Sequence, residues 1–354
     1  MPPLTEKEDC IPDQRWMHQA LEQAQHGIGL TSPNPNVGAV IVAQGKVIGQ
    51  GYHRKAGEAH AEVEAIRDAR QSHPELLPGA TIYVTLEPCC THGRTPPCTE
   101  AIKAAGIQRV VYGANDPNPQ HAGQCHEIFR LAGIEVTAGV LEAECEQLIR
   151  PFSKWITTGM PYVIAKAGQS LDGRITRPAG ESQWITNDAA RAHGRRLRMR
   201  VDAIIVGAET IRQDNPQLTL RDGSAGSGKL QPWRVVLTRS GEIPPHSHIL
   251  TDEYKDRTLI MHGQDLPEVL KDLAKRGVLS VLIEGGGLLL GQAFREQLVD
   301  EVYWYIAPRI CGGGTPSLAG PALSQSIELK NLTVHPMGDN VMMHGFPTWQ
   351  SQPD

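Results

Sequence analysis

Aromatic residues are scarce in this chain, at 5% of its 354 positions, and positive charge is in deficit, with a formal net charge of −5. A groove that binds nucleic acid needs stacking rings and a basic track, so nucleic acid is not an expected partner. No apolar run approaches the roughly 20 residues a helix needs to cross a bilayer. The stretch from Met1 to Gln14 is polar and acidic and lacks the apolar core of a signal peptide. No membrane partner is expected, and the expected location is cytoplasmic. Cysteine is sparse and lopsided, since six of the seven lie between positions 10 and 145 and only Cys311 lies beyond. An odd, crowded set of this kind argues against a disulfide framework and for metal binding. A clean GxGxxG dinucleotide fingerprint and internal repeats are also missing.

What is present suffices for two hydrophobic cores, because 40% of the residues are apolar and the chain exceeds one ordinary domain. Trp16, Met17, Ala20, Leu21 and Ala24 fall at helical spacing. The run Val37 to Val42 then pairs with Lys46 to His53 across a Gln44-Gly45 turn. A helix from about Ala59 to Arg70, a strand Ala80 to Leu86, a helix Cys98 to Ala105 stopped by Gly106 and a strand Arg109 to Tyr112 complete a βαβ alternation. The pattern breaks between Arg150 and Pro161, which puts a boundary between domains 1–151 and 152–354. The second series has strands at Tyr162 to Ala167, Asp202 to Val206, Trp233 to Thr238, Thr258 to Met261, Ser280 to Ile283 and Glu301 to Ile306, so both domains read as α/β. Gly223 to Gly228 reads as a flexible surface loop within that series.

Chemistry concentrates at His60-Ala61-Glu62 and at Pro88-Cys89-Cys90 with Cys98 downstream. Zinc takes imidazole and thiolate in tetrahedral geometry, and a catalytic site leaves one position for water, whose pKa falls from about 15.7 toward about 7. A glutamate outside the metal shell is then needed to carry a proton to departing ammonia, and Glu62 is placed for it. Both motifs lie at helix starts, where the helix dipole favours thiolate. The compact deaminase spacing is PCxxC, whereas Cys89 and Cys98 here enclose eight residues, so Cys90 and His92 compete as ligands. In the second half, Glu284-Gly285-Gly286-Gly287 lies between a strand and an apolar helix, and reads either as a tight turn or as a phosphate-binding helix start. The run Arg191, Arg195, Arg196, Arg198 and Arg200 on a helix starting near Thr186 or Asn187 reads first as a solvated face.

The stretch Glu87-Pro88-Cys89-Cys90-Thr91-His92-Gly93-Arg94-Thr95-Pro96-Pro97-Cys98, with Pro33-Asn34-Pro35-Asn36-Val37-Gly38 and Gly57-Glu58-Ala59-His60-Ala61-Glu62, resembles the deaminase half of the bifunctional deaminase–reductases of riboflavin biosynthesis. Ser170-Leu171-Asp172-Gly173-Arg174, Gly180 to Thr186, Asp214-Asn215-Pro216 and Ile283-Glu284-Gly285-Gly286 resemble the reductase half, and the likeness spans about residues 13 to 345. The resemblance implies a cytidine-deaminase-like αβα N-terminal domain and a dihydrofolate-reductase-like C-terminal α/β domain, with Zn²⁺ and NADPH as cofactors. Its implied activities are hydrolytic deamination of 2,5-diamino-6-(ribosylamino)pyrimidinone 5'-phosphate and reduction of the ribosyl group to ribityl. It implies a small phosphorylated pyrimidine nucleotide as the substrate and a homo-oligomer as the assembly.

By position, the family's zinc ligands fall on His60, Cys89 and Cys98, its proton carrier on Glu62, and Cys90 where no ligand is required. Asn34 and Asn36 resemble a substrate-facing loop, where amides can read a pyrimidine edge, and they also suit a turn beside Pro and Gly. Ser182, Arg198, the backbone near Leu218, Arg221 and Glu284 fall on substrate-binding positions. Gly168, Trp184, Thr210, Asp214 and the run Gly286, Gly287, Leu288, Leu289, Leu290, Gly291, Gln292 fall on cofactor-binding ones. One departure concerns the cofactor. Where some relatives carry Asp-Ser after the strand Trp233 to Leu237, this chain has Thr238-Arg239-Ser240, and Arg239 with either hydroxyl is suited to clamp a 2'-phosphate. Two other readings compete. A nucleic-acid-editing deaminase shares HxE and Pro-Cys but needs the basic aromatic channel this composition lacks. A non-enzymatic zinc module would close the metal with four protein ligands including Cys90, and metal-dependent ammonia release separates it from an enzyme.

Overall fold

A computed structural model describes residues 12–91, 96–119, 122–220 and 228–349. The chain divides into two compact units, one through Thr158 and one from Gly159.

The first unit runs α1 (Pro12–Gln25), β1 (Gly38–Ala43), β2 (Lys46–Tyr52), α2 (Ala61–Ser72), β3 (Thr81–Leu86), α3 (Cys98–Ala104), β4 (Arg109–Ala114), α4 (Gln124–Leu131), β5 (Glu135–Thr137) and α5 (Glu142–Thr158). Its sheet has the order β2-β1-β3-β4-β5, with β1 antiparallel to both neighbours and β3, β4 and β5 parallel. The β1–β2 hairpin closes at Gln44 and Gly45, both at positive φ, as a two-residue turn matched to strand twist requires. Small residues let α2 sit directly on β2. A Cβ at Gly49 would meet Ala65 O at 2.4 Å, and one at Gly51 would meet Ala65 N at 2.5 Å. That close approach carries the start of α2 to the same sheet edge as the C-terminal ends of β3 and β4, the edge where open α/β sheets bind ligands.

The second unit contains β6 (Tyr162–Ser170), α6 (Asp188–Leu197), a 3₁₀ turn (Arg198–Arg200), β7 (Ala203–Gly207), α7 (Ala208–Asp214), β8 (Trp233–Thr238), α8 (His248–Thr251), a second 3₁₀ turn (Lys255–Arg257), β9 (Thr258–His262), α9 (Leu266–Lys275), β10 (Ser280–Ile283), α10 (Gly287–Arg295), β11 (Glu301–Ala307), β12 (Glu328–Met337) and β13 (Asn340–Thr348). Its eight strands are ordered β12-β13-β11-β6-β10-β7-β8-β9, parallel from β11 to β9 and antiparallel in the β11–β13–β12 edge. Alternate residues of each central strand feed different cores. Val163 and Ala165 of β6, with Val281 and Ile283 of β10, pack under α9 and α10, while Ile164 and Leu282 pack under α6 and α7. Val281, Leu282 and Ile283 are wholly buried. Burying each such side chain is worth about 1.5–3 kcal/mol, and burial on both faces explains the near-continuous apolar runs in the sequence.

The division after Thr158 lies within the break expected at residues 150–161, seven residues past the 151/152 cut, because α5 carries Pro151 in its interior and continues to Thr158. The C-terminal hairpin β12–β13 has no counterpart in the expected strands, because β12 is exposed along nearly its whole length and therefore shows no clear apolar alternation. Of the expected loop at Gly223 to Gly228, all but Gly228 lies outside the described residues.

Candidate active sites

In the first unit, the end of β3 and the starts of α2 and α3 bring three donors together. His60 is the N-cap of α2, Cys98 opens α3, and Cys89 lies in the loop after β3. The ligand atoms of His60, Cys89 and Cys98 all lie within 4.8 Å of one another. His60 Nδ1 is 3.2 Å from Cys98 Sγ and 3.6 Å from Cys89 Sγ. Tetrahedral zinc with sulfur at about 2.3 Å and nitrogen at about 2.0–2.1 Å separates those atoms by about 3.6 Å, so the donor set fits that ion. The backbone N–H of Cys98 donates to Cys89 Sγ at 3.3 Å. The Cys89 thiol is held well below its usual range by hydrogen bonding with Cys98, against the opposing effect of burial, while Cys98 is pushed up by the same contact and by burial. One thiolate of the pair is therefore already favoured by the protein.

Glu62, one residue into α2 past Ala61, is 3% exposed, and burial raises its carboxyl pKa above the usual range. A carboxyl whose pKa is raised holds a proton more readily, which suits a group that takes a proton and passes it on. Cys90 does not join the triad. It is half-buried, and its Sγ lies 3.4 Å from Gln124 Oε1 at the start of α4. His92, the other competing ligand, lies outside the described residues.

His60, Glu62 and Cys89 line a cavity of about 370 Å³ whose wall also includes Asn34, His53, Glu87, Asp116, Asn118 and Phe152. His53 Nδ1 faces Ala59 O at 3.0 Å, and Nε2 faces Asn34 Nδ2 at 3.0 Å. Since a carbonyl only accepts, Nδ1 carries the proton and Nε2 accepts from Asn34, which leaves Asn34 Oδ1 free to accept from a ligand N–H. Burial lowers the pKa of this imidazole and so favours its neutral form. Asn36 is not part of the cavity wall, and its Oδ1 accepts from Thr31 Oγ1 at 3.0 Å, which is the turn-forming role. Sequence reasoning missed His53, Asp116 and Asn118. The available signal for the last two was their position just beyond the C-terminal end of β4, next to the end of β3.

In the second unit the expected residues gather at the C-terminal ends of β6, β7, β8 and β10. Arg198 and Glu284 form a bidentate pair, Nε to Oε1 at 2.6 Å and Nη2 to Oε2 at 2.9 Å, with side chains only 10% and 9% exposed. Arg198 Nη1 also donates to Thr219 O at 3.0 Å. Much of the fork expected for a ribose phosphate is thus engaged by protein acceptors. Burial opposes ionisation of Glu284, but Arg198 outweighs it and holds the carboxyl below its ordinary value. Lys166 on β6 stands in the same charge cluster, its amine lowered by burial against the pull of Glu284. A lysine inside an otherwise apolar parallel strand was the signal that sequence reasoning passed over.

Gly286 is the N-cap of α10, and a Cβ there would lie 3.6 Å from Thr210 Oγ1, so Thr210 of α7 faces the turn. Leu290 N already donates to Gly286 O, which leaves unpaired helix amides only before it. Gly287, Leu289, Leu290 and Gly291 are buried, and Gln292 Nε2 bonds Glu296, so within the expected run 286–292 the positions near the helix start that are not buried are Gly286 and Leu288. Leu288 is 59% exposed there. Trp184 is exposed and stacks against the Arg191 guanidinium at 4.9 Å. Ser182 Oγ accepts from Trp184 N, and Gly168 lies against Thr186. Asp214 ends α7, and burial raises its carboxyl pKa. Leu218 is buried at positive φ. Arg221 lies outside the described residues. After β8, Thr238 Oγ1 accepts from Gly241 N and Ser240 Oγ accepts from Glu242 N, while Arg239 is exposed.

Residues 11–114 match the family described as the cytidine and deoxycytidylate deaminase zinc-binding region, and residues 161–343 match the RibD C-terminal domain. The Escherichia coli riboflavin biosynthesis protein RibD is 39% identical over 94% of this chain and 99% of its own length. The protein of the same name from Bacillus amyloliquefaciens is 38% identical over 95% of this chain and 96% of its own. Among solved structures, Acinetobacter baumannii RibD superposes with a TM-score of 0.86 at 39% identity, covering 96% of this chain and 99% of that one. The Thermotoga maritima diaminohydroxyphosphoribosylaminopyrimidine deaminase/5-amino-6-(5-phosphoribosylamino)uracil reductase does so with a TM-score of 0.85 at 34% identity, covering 95% and 99%.

Proposed function

Because the chain belongs to the RibD family, the bifunctional deaminase–reductases of riboflavin biosynthesis, we propose that its first unit removes the 2-amino group of 2,5-diamino-6-(ribosylamino)pyrimidinone 5'-phosphate and its second reduces the ribosyl group with NADPH. The observation that carries the first assignment is the triad His60, Cys89 and Cys98 with Glu62 buried beside it. Bound zinc supplies a water acidified toward neutrality, from about 15.7 to about 7. Glu62 takes a proton from the water that attacks the ring carbon and delivers it to the amine that leaves as ammonia. Asn34, fixed by His53, presents its carbonyl oxygen to a ring or amine N–H.

In the second unit NADPH supplies the hydride, and the chain's residues align it with the opened ribose carbon. The start of α10 offers amides to a cofactor phosphate, and Trp184, Thr210 and Asp214 form the cofactor side. The buried Arg198–Glu284 pair presents the remaining carboxylate lone pairs of Glu284 to sugar hydroxyls. Arg239 favours NADPH over NADH by holding the 2'-phosphate, and the Thr238 and Ser240 hydroxyls, which accept from their own turn, keep their O–H donors for the same group.

A variant separates the two activities. Glu62→Gln keeps the size of the side chain but cannot shuttle a proton, so ammonia release falls by about 10²–10⁴-fold while zinc is retained. NADPH-dependent reduction of already deaminated nucleotide stays intact. Wild-type ammonia release by this variant would remove Glu62 from the mechanism.

A further inference from the structure

The motif Ser170-Leu171-Asp172-Gly173-Arg174 is prominent in the sequence, yet none of the site roles above uses it. It sits at the end of β6, and its backbone turns tightly, with Gly173 N donating to Ser170 O and Arg174 N to Ser170 Oγ. The Asp172 carboxylate joins that turn to a second segment. Its Oδ1 accepts from Ser170 Oγ at 2.6 Å and from the amide of Cys311 at 3.0 Å, and its Oδ2 accepts from the amide of Gly312 at 2.8 Å. These three donors hold the carboxyl near about 2. The segment they grip is inherently loose, since Gly312, Gly313 and Gly314 are consecutive and Gly312 and Gly314 are at positive φ.

From there the segment crosses the first turn of α10. Ala319 N donates to Gly287 O at 2.9 Å. A Cβ at Gly287 would meet Pro316 O at 2.1 Å, and one at Gly291 would meet Ala319 O at 2.0 Å, so the strap touches helix backbone with nothing between. Further bonds from Leu171 N to Arg309 O and from Ser317 N to Gly173 O tie its two ends to the β6 loop. Asp172 fixes the Cys311–Gly312 end of the glycine-rich stretch, while Thr176 Oγ1 accepts from Thr315 N at 2.8 Å and Arg174 Nη1 lies 3.5 Å from Gly314 O at its other end.

We propose that Asp172 is a positioning residue for the nicotinamide dinucleotide. By gripping the amides of Cys311 and Gly312, it holds the strap Arg309 to Ala319 against α10 and keeps the amides at the start of that helix aimed at the cofactor phosphate. The proposal rests on the reading that the α10 start binds the cofactor. Without Asp172 the Cys311–Gly312 end of the strap would have to be ordered at each binding event, and that entropy is charged against affinity for the cofactor.

The test is direct binding of NADPH, with steady-state kinetics, by the full chain. Asp172→Ala raises the NADPH Kd and KM by about tenfold, as expected for losing charge-assisted hydrogen bonds. kcat at saturating NADPH, KM for the deaminated nucleotide and the rate of ammonia release all remain at wild-type values. Asp172→Asn keeps one acceptor oxygen and gives a smaller rise, and it carries the comparison if the alanine variant does not fold. An unchanged NADPH Kd, or equal rises in KM for NADPH and nucleotide, overturns the proposal. Leu288→Asp, which sets a carboxylate at the exposed start of α10, separates the two ideas. If it leaves NADPH binding unchanged, the reading of α10 fails. If it weakens binding while both Asp172 variants bind normally, the strap alone is refuted.

Discussion

Replacing Arg198 with methionine removes one half of a buried ion pair and tests whether that pair is the closed unit described above. Its two side chains are 10% and 9% exposed and joined by two short charge-assisted bonds, so Glu284 would be left as a buried carboxylate. Breaking a buried pair from one side costs about 3–5 kcal/mol. Lys166 remains nearby as a partial counter-charge, which places the expected loss toward the lower end. The pH dependence follows from the carboxyl. In the wild type, burial acts to raise the Glu284 pKa but Arg198 outweighs it, so the folded value lies below the unfolded value of about 4.3. The pair's contribution is therefore present above that pH and is lost as the pH falls through the folded pKa. In Arg198→Met burial dominates, the folded pKa rises above the unfolded one, and the ionised carboxylate destabilises the fold until acid protonates it. The difference between variant and wild type should thus be full at pH 8 and shrink toward pH 5. Urea unfolding followed by tryptophan fluorescence reports mainly on the second unit, which holds Trp184, Trp233, Trp304 and Trp349. Its transition is fitted separately from that of the first unit, because two units need not unfold as one. A loss below about 1 kcal/mol at pH 8, or one that does not shrink by pH 5, would refute the buried-pair account.

Metal analysis of cysteine variants tests the triad: Cys89→Ser and Cys98→Ser lose zinc, Cys90→Ser keeps most of it, and equal loss from Cys90→Ser would require a different ligand set. Arg239→Ala weakens NADPH binding by about ten- to a hundred-fold and leaves NADH nearly unchanged, the size of one charge-assisted contact of about 1.5–3 kcal/mol. Because Arg239 is exposed, that difference should diminish in high salt, and equal effects on both cofactors would exclude a 2'-phosphate contact.

Most of the central sheet of each unit could be read from the sequence, because strands buried on both faces, such as β7 and β10, carry uninterrupted apolar runs, Ala203 to Val206 and Val281 to Ile283. The cluster of His60, Cys89 and Cys98 was legible for a different reason, namely that its donors sit beside features with their own signals, the start of α2 and the end of β3. What escaped depended on distant contacts or on weak patterning. The pairing of Arg198 with Glu284, 86 positions apart, has no signal in the neighbourhood of either residue. Pro151 disguised the continuity of α5, and the exposed faces of β12 removed the alternation that marks a strand. Asn36 carried the same local signal as Asn34, and only the fold shows that Thr31 claims one while the cavity receives the other.

The most direct measurement incubates the zinc-loaded protein with the diaminopyrimidine nucleotide, first alone and then with NADPH, and identifies the products by mass. The account predicts one product in which an amino group has been exchanged for oxygen with release of ammonia, and a second that has also gained two hydrogens only when NADPH is present. Recovery of unchanged nucleotide under both conditions would contradict it.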